Sequence, residues 1–247
     1  MPPVPFDLEE IFGPDYLHFH ADYLTDAQAE ADVEEICSRL AVTEGRLLDA
    51  PCGTGRLAHR LALLGYDVVG VDRCEAFIEM GRSQAHGLAA ATLDVGDLRN
   101  LEVQGPFDAV VCWFNSFGYF DDATNRSILD RFSHLLGPGG QLLIDTLHHD
   151  GVVHSLEAGG TTAVVERGPD VLIDRSQFNP LLGRLETARR VLRDGQVRRS
   201  NYFVRLPTLV EWTTWLEAAG FSEVAFSDRD GAEVQMETVE LVIDARV

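Results

Sequence analysis

Residues 47–61 read LLDAPCGTGRLAHRL, and their pattern changes twice. Asp49 closes an apolar run, Gly53 and Gly55 make a bend, and from Arg56 onward Leu57, Leu61 and Leu64 fall at helical spacing. The order is therefore strand, tight turn, helix. The same letters contain G-x-G-x-x-A from Gly53 to Ala58, close to the fingerprint of dinucleotide-binding loops. The loop alone leaves the cofactor open.

The flanking chain repeats the alternation. "YDVVGVD" reads as a second strand, a helix follows from about Cys74 to Ser83, and "AATLDVGDL" and "FDAVVCWFNSF" supply a third and a fourth strand. An amphipathic helix then carries Ile128, Leu129, Phe132, Leu135 and Leu136 on one face, "GPGG" at 137–140 should end it, and "QLLIDTL" supplies a fifth strand. Apolar strands alternating with helices imply an α/β class with a parallel sheet covered on both faces. Residues 161–206 break the rhythm: four β-rich stretches are separated by turn signals at Gly168-Pro169, Asn179-Pro180 and Asp194-Gly195. They read as antiparallel hairpins inserted into the α/β sheet. Alternation resumes with a helix in "TLVEWTTWLEAAG" and strands in "FSEVAFS" and "ETVELVIDARV". The proline-rich first five residues are expected to be loose.

Composition narrows the chemistry. The 247 residues contain no lysine, so all twenty basic residues are arginine, against forty acidic ones and a net charge of −20. A lysine Schiff base, a Walker lysine and a kinase-type lysine are thereby excluded. Strong negative charge also opposes sequence-independent binding to nucleic acid, so no nucleic-acid partner is expected. The opening MPPVPFDLEE has neither a basic n-region nor a long apolar stretch, and no apolar run reaches the length of a spanning helix. A soluble, cytoplasmic protein without membrane association is expected. The four cysteines form no C-x-x-C pair, so neither a disulfide framework nor a metal site is suggested. Between Arg167 and Arg205 nine arginines face four acids. Such a stretch suits an anionic substrate, a second subunit, or simply a solvated face.

Asp49 argues against a diphosphate. In dinucleotide enzymes the pyrophosphate sits over the glycine turn, at the helix N-terminus, where a carboxylate would repel it. The same carboxylate attracts a cationic amine, and a charge pair at 4 Å is worth roughly 4 kcal/mol at an effective dielectric near 20.

Four stretches in order, "LLDAPCGTGR", "VVGVD", "VGDL" and "FDAVVCWFNSFGYF…LLGPGGQLLIDTL", resemble the successive motifs of class I S-adenosylmethionine-dependent methyltransferases. The resemblance covers about residues 45–147 and the terminal strand pair. It implies a Rossmann-like, doubly wound seven-stranded sheet whose last strand is antiparallel, here carrying an inserted antiparallel β layer. The implied division is an N-terminal helical lid at 1–44, a methyltransferase core at 45–160 and 207–247, and a β insertion at 161–206 serving as substrate roof or homodimer contact.

The implied cofactor is S-adenosyl-L-methionine. By resemblance, Ala50, Cys52, Gly53 and Gly55 line its methionine portion with Asp49 near the amino end, and Asp72 takes both ribose hydroxyls. One planar carboxylate can satisfy two vicinal donors. Arg73 matches the position along the adenine edge, and Asp97 and Leu98 match the adenine-recognising pair, with Asp94 a competing reading. Tyr16, in the lid, and Trp113, after the fourth strand, complete the expected cofactor set. The aromatics Trp113, Phe114, Phe117, Tyr119 and Phe120 would exclude water from a sulfonium, or pack in the core. Asn115 among them is expected to position a substrate, and His148 and His20 are the candidate bases. The whole pattern looks like small-molecule methyltransferases of bacterial biosynthetic pathways acting on an amine nitrogen. An O-methyltransferase, a non-catalytic cofactor-binding module and an NAD-dependent oxidoreductase are the alternatives.

Overall fold

A computed structural model describes residues 8–84, 91–156 and 160–247; the proline-rich opening at 1–5 lies outside the described residues. Three helices come first: α1 (Leu8–Ile11), α2 (Pro14–Phe19) and α3 (Asp26–Arg39). Thr25 caps α3, its side chain accepting the Gln28 N–H at 3.2 Å.

The alternating section then runs β1 (Arg46–Asp49), α4 (Arg56–Leu63), β2 (Asp67–Asp72), α5 (Glu75–Gln84), β3 (Thr92–Val95), a single 3-10 turn at Leu98–Asn100, β4 (Phe107–Cys112), α6 (Asp122–Leu135), β5 (Leu136–Leu147) and α7 (His149–Ser155). Four strands follow: β6 (Thr161–Arg167), β7 (Asp170–Asn179), β8 (Arg184–Arg193) and β9 (Gln196–Arg205). The chain closes with α8 (Leu209–Ala218), β10 (Glu223–Ser227) and β11 (Glu240–Arg246).

Seven strands form one sheet in the order β10-β11-β5-β4-β1-β2-β3. β1 to β5 are parallel, and β11 runs antiparallel to both β5 and β10. The expected doubly wound sheet with an antiparallel last strand is present. Its centre is apolar on both faces, with Leu47, Leu48, Val110 and Val111 fully buried. This is why those strands read as unbroken hydrophobic runs. The strand order reverses at β1, where β4 lies on one side and β2 on the other, and that reversal opens a crevice at the strands' carboxyl ends.

Two local expectations shift. "GPGG" does not lie between helix and strand but inside β5, where the pairing with β4 slips between Phe107 and Ala109. Leu136 already pairs with Phe107, so the glycines form a bulge rather than a stop. Helix α7 is additional to the elements read from the sequence, and His148 stands at its N-cap position.

The inserted strands form their own meander, β6-β7-β8-β9, turning at the three expected signals. One face of this second sheet carries Leu172 and Val191, which bury Phe19 of α2 to 2% exposure. Ionic contacts reinforce the seam. Asp15 meets Arg193 at 3.0 Å and Arg198 at 2.6 Å, His18 meets Asp170 at 2.9 Å, and Arg167 donates to the His18 carbonyl at 2.7 Å. The arginine-rich stretch is therefore largely spoken for: Arg189 pairs with Asp174, and Arg205 with Asp122 and Glu211. Arg175, Arg190 and Arg199 remain on the solvated side.

Candidate active site

The glycine loop owes its shape to two left-handed residues. Gly55 (φ +73°) sits where a Cβ would lie 2.7 Å from Leu93, so a side chain there would strain the backbone and collide with β3. Gly53 (φ +57°) has nothing within 4 Å of its would-be Cβ, which leaves open space over the loop. Asp72, at the end of β2, ties the loop down: its Oδ2 accepts the Gly53 N–H at 2.9 Å and its Oδ1 accepts the Cys74 N–H at 2.8 Å. Each oxygen keeps a further lone pair.

A cleft lies over this loop, with empty space of about 1000 Å³ counted out to its mouth. Of the expected cofactor residues, Tyr16, Asp49, Cys52, Gly53, Asp72, Arg73, Asp97, Leu98 and Trp113 line it. Ala50 and Gly55 do not. Ala50 is fully buried and donates its N–H to the Val111 carbonyl, and Gly55 serves the turn instead. Asp97, not Asp94, faces the cleft, and Arg99 holds its carboxyl below the usual range through bonds at 2.9 and 2.6 Å. Arg56, Phe77, Leu24 and Phe12 are wall residues the sequence reading had passed over. Arg56 has a plausible signal, standing first on the helix after the loop.

Asp49 is 1% exposed, and its Oδ2 has no hydrogen-bond partner among the described residues. Burial pushes its pKa up to about 7, opposed by Arg56 and reinforced by Asp72. Trp113 likewise buries an unpartnered indole N–H. An unpaired buried acceptor and donor in the wall of an open cleft are groups that a polar ligand would satisfy.

A second cavity adjoins the first, and Phe12, Tyr16, Phe114, Ser116 and Tyr119 line both. Asn115 and His20 stand in its wall with Arg189 of β8 and Tyr202 of β9. His20 stacks on Tyr16 with ring centroids 4.4 Å apart. Its Nδ1 lies 3.0 Å from the Tyr16 carbonyl, which can only accept, so Nδ1 carries the proton and Nε2 keeps its lone pair. Burial lowers the His20 pKa below the ordinary histidine value.

Asn115 is held by an unusual backbone. Phe114 (φ +63°) and Asn115 (φ +54°) are consecutive left-handed residues, a conformation that costs about 1–3 kcal/mol each. Asp145 fixes both: its Oδ2 accepts the Phe114 N–H at 2.9 Å, and its carbonyl accepts the Asn115 N–H at 3.2 Å. Arg229 in turn approaches the Asp145 carboxyl at 3.5 Å and Asp32 at 3.1 Å. The Asn115 Oδ1 is buried without a partner among the described residues.

His148 lies apart from both cavities. It is 3% exposed, and its Nδ1 bonds the Thr238 carbonyl at 2.9 Å, locking α7 to the segment before β11. The position after β5 suggested a base; the buried bond to Thr238 occupies the ring instead. Among the aromatics, Trp113, Phe114, Tyr119 and Phe120 face the cleft, and Phe117 packs on Trp212 at 5.1 Å in the core. No group of three or more potential ligands is placed to hold a metal ion, and no helix is long and apolar enough to cross a membrane, among the described residues.

The fold is the one shared by S-adenosylmethionine-dependent methyltransferases of known structure. Residues 47–140 match the family described as Methyltransferase domain. It is similar to glycine/sarcosine N-methyltransferase of Halorhodospira halochloris, 34% identical over 139 residues, 53% of this chain and 50% of that one. It is also similar to ubiquinone biosynthesis O-methyltransferase of Xylella fastidiosa, strain M23, 30% identical over 142 residues, 56% of each chain. The chain thus spans about half the length of the curated relatives it matches. Among solved structures, the CcbJ methyltransferase of Streptomyces caelestis superposes with a TM-score of 0.77 at 23% identity, over 93% of this chain and 95% of that one, which establishes the fold. The cofactor of the class is S-adenosyl-L-methionine, and the cleft fits it: a buried carboxyl beside the glycine loop, a second at the end of β2, and clear space over Gly53.

Proposed function

We propose that the protein transfers a methyl group from S-adenosylmethionine to an amine nitrogen of a small metabolite. The observation that carries this reading is the shared wall. Phe12, Tyr16, Phe114, Ser116 and Tyr119 separate and join two cavities, one suited to a cationic nucleoside, the other holding a neutral imidazole and an unpaired amide oxygen.

When bound, the cofactor supplies a methyl group already activated on a sulfonium. What remains for the chain is placement, since the reacting atoms must lie in line at about 3 to 3.5 Å. Asp49 takes the cofactor's amino group and Asp72 its ribose hydroxyls. Asp97 and Leu98 hold the adenine end, with Arg73 along its edge, and Cys52 and Gly53 supply the loop wall. Trp113 and Tyr16 close the cleft and keep water from it. Asn115 Oδ1 would accept an N–H of the incoming amine and so orient it in the second cavity. His20 Nε2 then receives the proton that the nitrogen sheds after the new N–C bond forms. The helices before β1 act as lid and the β6–β9 sheet as roof of the acceptor cavity. The N-methyltransferase name of one relative favours nitrogen; the O-methyltransferase name of the other keeps oxygen as the alternative.

Calorimetry with S-adenosylhomocysteine, followed by a turnover screen over amines, phenols and carboxylates, tests the reading. Cofactor binding with methylated amines supports it. Methylation confined to hydroxyls or carboxylates moves the acceptor atom to oxygen. Binding with no turnover makes the chain a cofactor-binding module, and absence of binding overturns the whole assignment.

A further inference from the structure

The roof of the second cavity carries a charge that is already answered. Arg189 is 7% exposed and stands in the cavity wall with Tyr202. Behind it, across β7 and β8, Asp174 takes the guanidinium in a fork: Nε to Oδ1 at 2.8 Å and Nη2 to Oδ2 at 2.7 Å. The Tyr202 hydroxyl donates to the same Asp174 Oδ2 at 3.2 Å and lies 3.3 Å from Arg189 Nη2. The fork leaves Nη1 outside the Asp174 pairing.

A bidentate pair of this kind presents a hydrogen-bond donor without net charge. An incoming carboxylate would reach Nη1 only by bringing a second negative charge beside the buried Asp174, which the desolvated setting penalises. A hydroxyl, ether or amide oxygen meets no such penalty. The rest of the wall agrees. Burial keeps the Tyr202 and Tyr119 hydroxyls protonated and His20 neutral, so no facing side chain offers an uncompensated charge.

We propose that Arg189, Asp174 and Tyr202 form a charge-balanced subsite that takes a neutral oxygen of the acceptor, so that hydroxylated amines are selected over amino acids. The inference rests on the second cavity being the acceptor site. Nη1 donates to the acceptor's oxygen, and the Tyr202 hydroxyl oxygen can take that hydroxyl's proton in a hydrogen bond. Asp174 acts behind the wall as a positioning residue: its charge sets which ligand class the arginine accepts.

Full-length protein saturated with S-adenosylhomocysteine, titrated with 2-amino-1,3-propanediol, glycine and acetate under ligand-observed NMR, tests this. In the unaltered protein the aminodiol should bind at least tenfold more tightly than glycine, and acetate should not bind. Asp174→Asn should reverse the order, with glycine and acetate gaining tenfold or more as the arginine charge is uncovered. A merely structural role for Asp174 would weaken all ligands without reversing them. Arg189→Met should lose the aminodiol and gain neither anion, and it decides the matter if Asp174→Asn does not fold. The proposal is overturned if glycine or acetate matches the aminodiol in the unaltered protein, if Asp174→Asn preserves the order, or if neither class binds. S-adenosylhomocysteine affinity, measured on every variant, reports the cofactor cleft separately; its loss in the unaltered protein overturns the methyltransferase reading and this one together.

Discussion

Asp145 accepts the Phe114 N–H at 2.9 Å and thereby holds a left-handed residue one position before Asn115. Replacing Asp145 with Ala removes that acceptor and strips Arg229 of one of its carboxylate neighbours. Stability should fall by about 2 kcal/mol in chemical denaturation, the order expected for a lost bond to a charged group. Asp145→Asn, which keeps an acceptor oxygen for the amide, should fall by less. A loss equal for both variants would mean that the charge toward Arg229 dominates over the loop contact.

Asp49 should couple cofactor binding to protons. Its pKa in the free protein is about 7, raised chiefly by burial, against an ordinary value near 3.9. A cationic amino group favours the anion, so binding below pH 7 must expel a proton. Affinity for S-adenosylhomocysteine should rise with pH up to about 7 and level above it. Calorimetry at pH 6 in buffers of different ionisation enthalpy should show proton release.

The same carboxyls act on stability. Asp49 and Asp145 both titrate at about 7 when folded and near 3.9 when unfolded, so between those values the folded chain binds more protons. Their contribution to stability is fully present below about pH 4 and declines as pH rises towards 7, by up to about 1.4 kcal/mol per pH unit for each group. The double variant Asp49→Asn, Asp145→Asn should flatten that part of the profile in urea denaturation.

Asp72→Ala should weaken cofactor binding by roughly 1–3 kcal/mol, the usual cost of losing charged hydrogen bonds, and should loosen the loop it anchors through Gly53 and Cys74. Calorimetry reads the first effect, and hydrogen exchange at Gly53 reads the second. Unchanged affinity would remove Asp72 from the ribose site.

The two histidines should separate. His20→Gln should lower turnover while leaving S-adenosylhomocysteine affinity intact. His148→Ala should cost about 1 kcal/mol or more of stability, the order of a lost buried hydrogen bond to the Thr238 carbonyl, with turnover retained. A turnover loss confined to the His148 variant would reverse the assignment.

The wall of the first cleft was legible because it is local in sequence. Asp49, Gly53 and Asp72 sit at the ends of neighbouring strands, and the turn chemistry that places them is written within a few residues. Of the second cavity, Asn115 and His20 were named from the sequence, and Arg189 and Tyr202 were not. Asp15 and Arg198, which join α2 to β9, are 183 residues apart. Arg189 and Tyr202 carry no motif, although counting back from the Asp194-Gly195 turn pairs Thr187 with Tyr202 and brings Arg189 beside it on the same face. His148 was misplaced because position at a strand's carboxyl end says nothing of which carbonyl its ring will meet. Asp145 gave no signal at all, since its task exists only once Phe114 adopts positive φ.

The β6–β9 sheet lends Arg189 and Tyr202 to the second cavity, and helix α2 is riveted to that sheet through Asp15, His18 and Phe19. Residues 14–19 and 161–205 therefore form an exchangeable cassette. Transplanted together onto a related core, they should carry acceptor preference with them while the donor machinery stays untouched. Moved without its partner, either piece would leave Phe19 or the Leu172–Val191 face exposed to water, so descent would be expected to conserve the two segments as a linked pair.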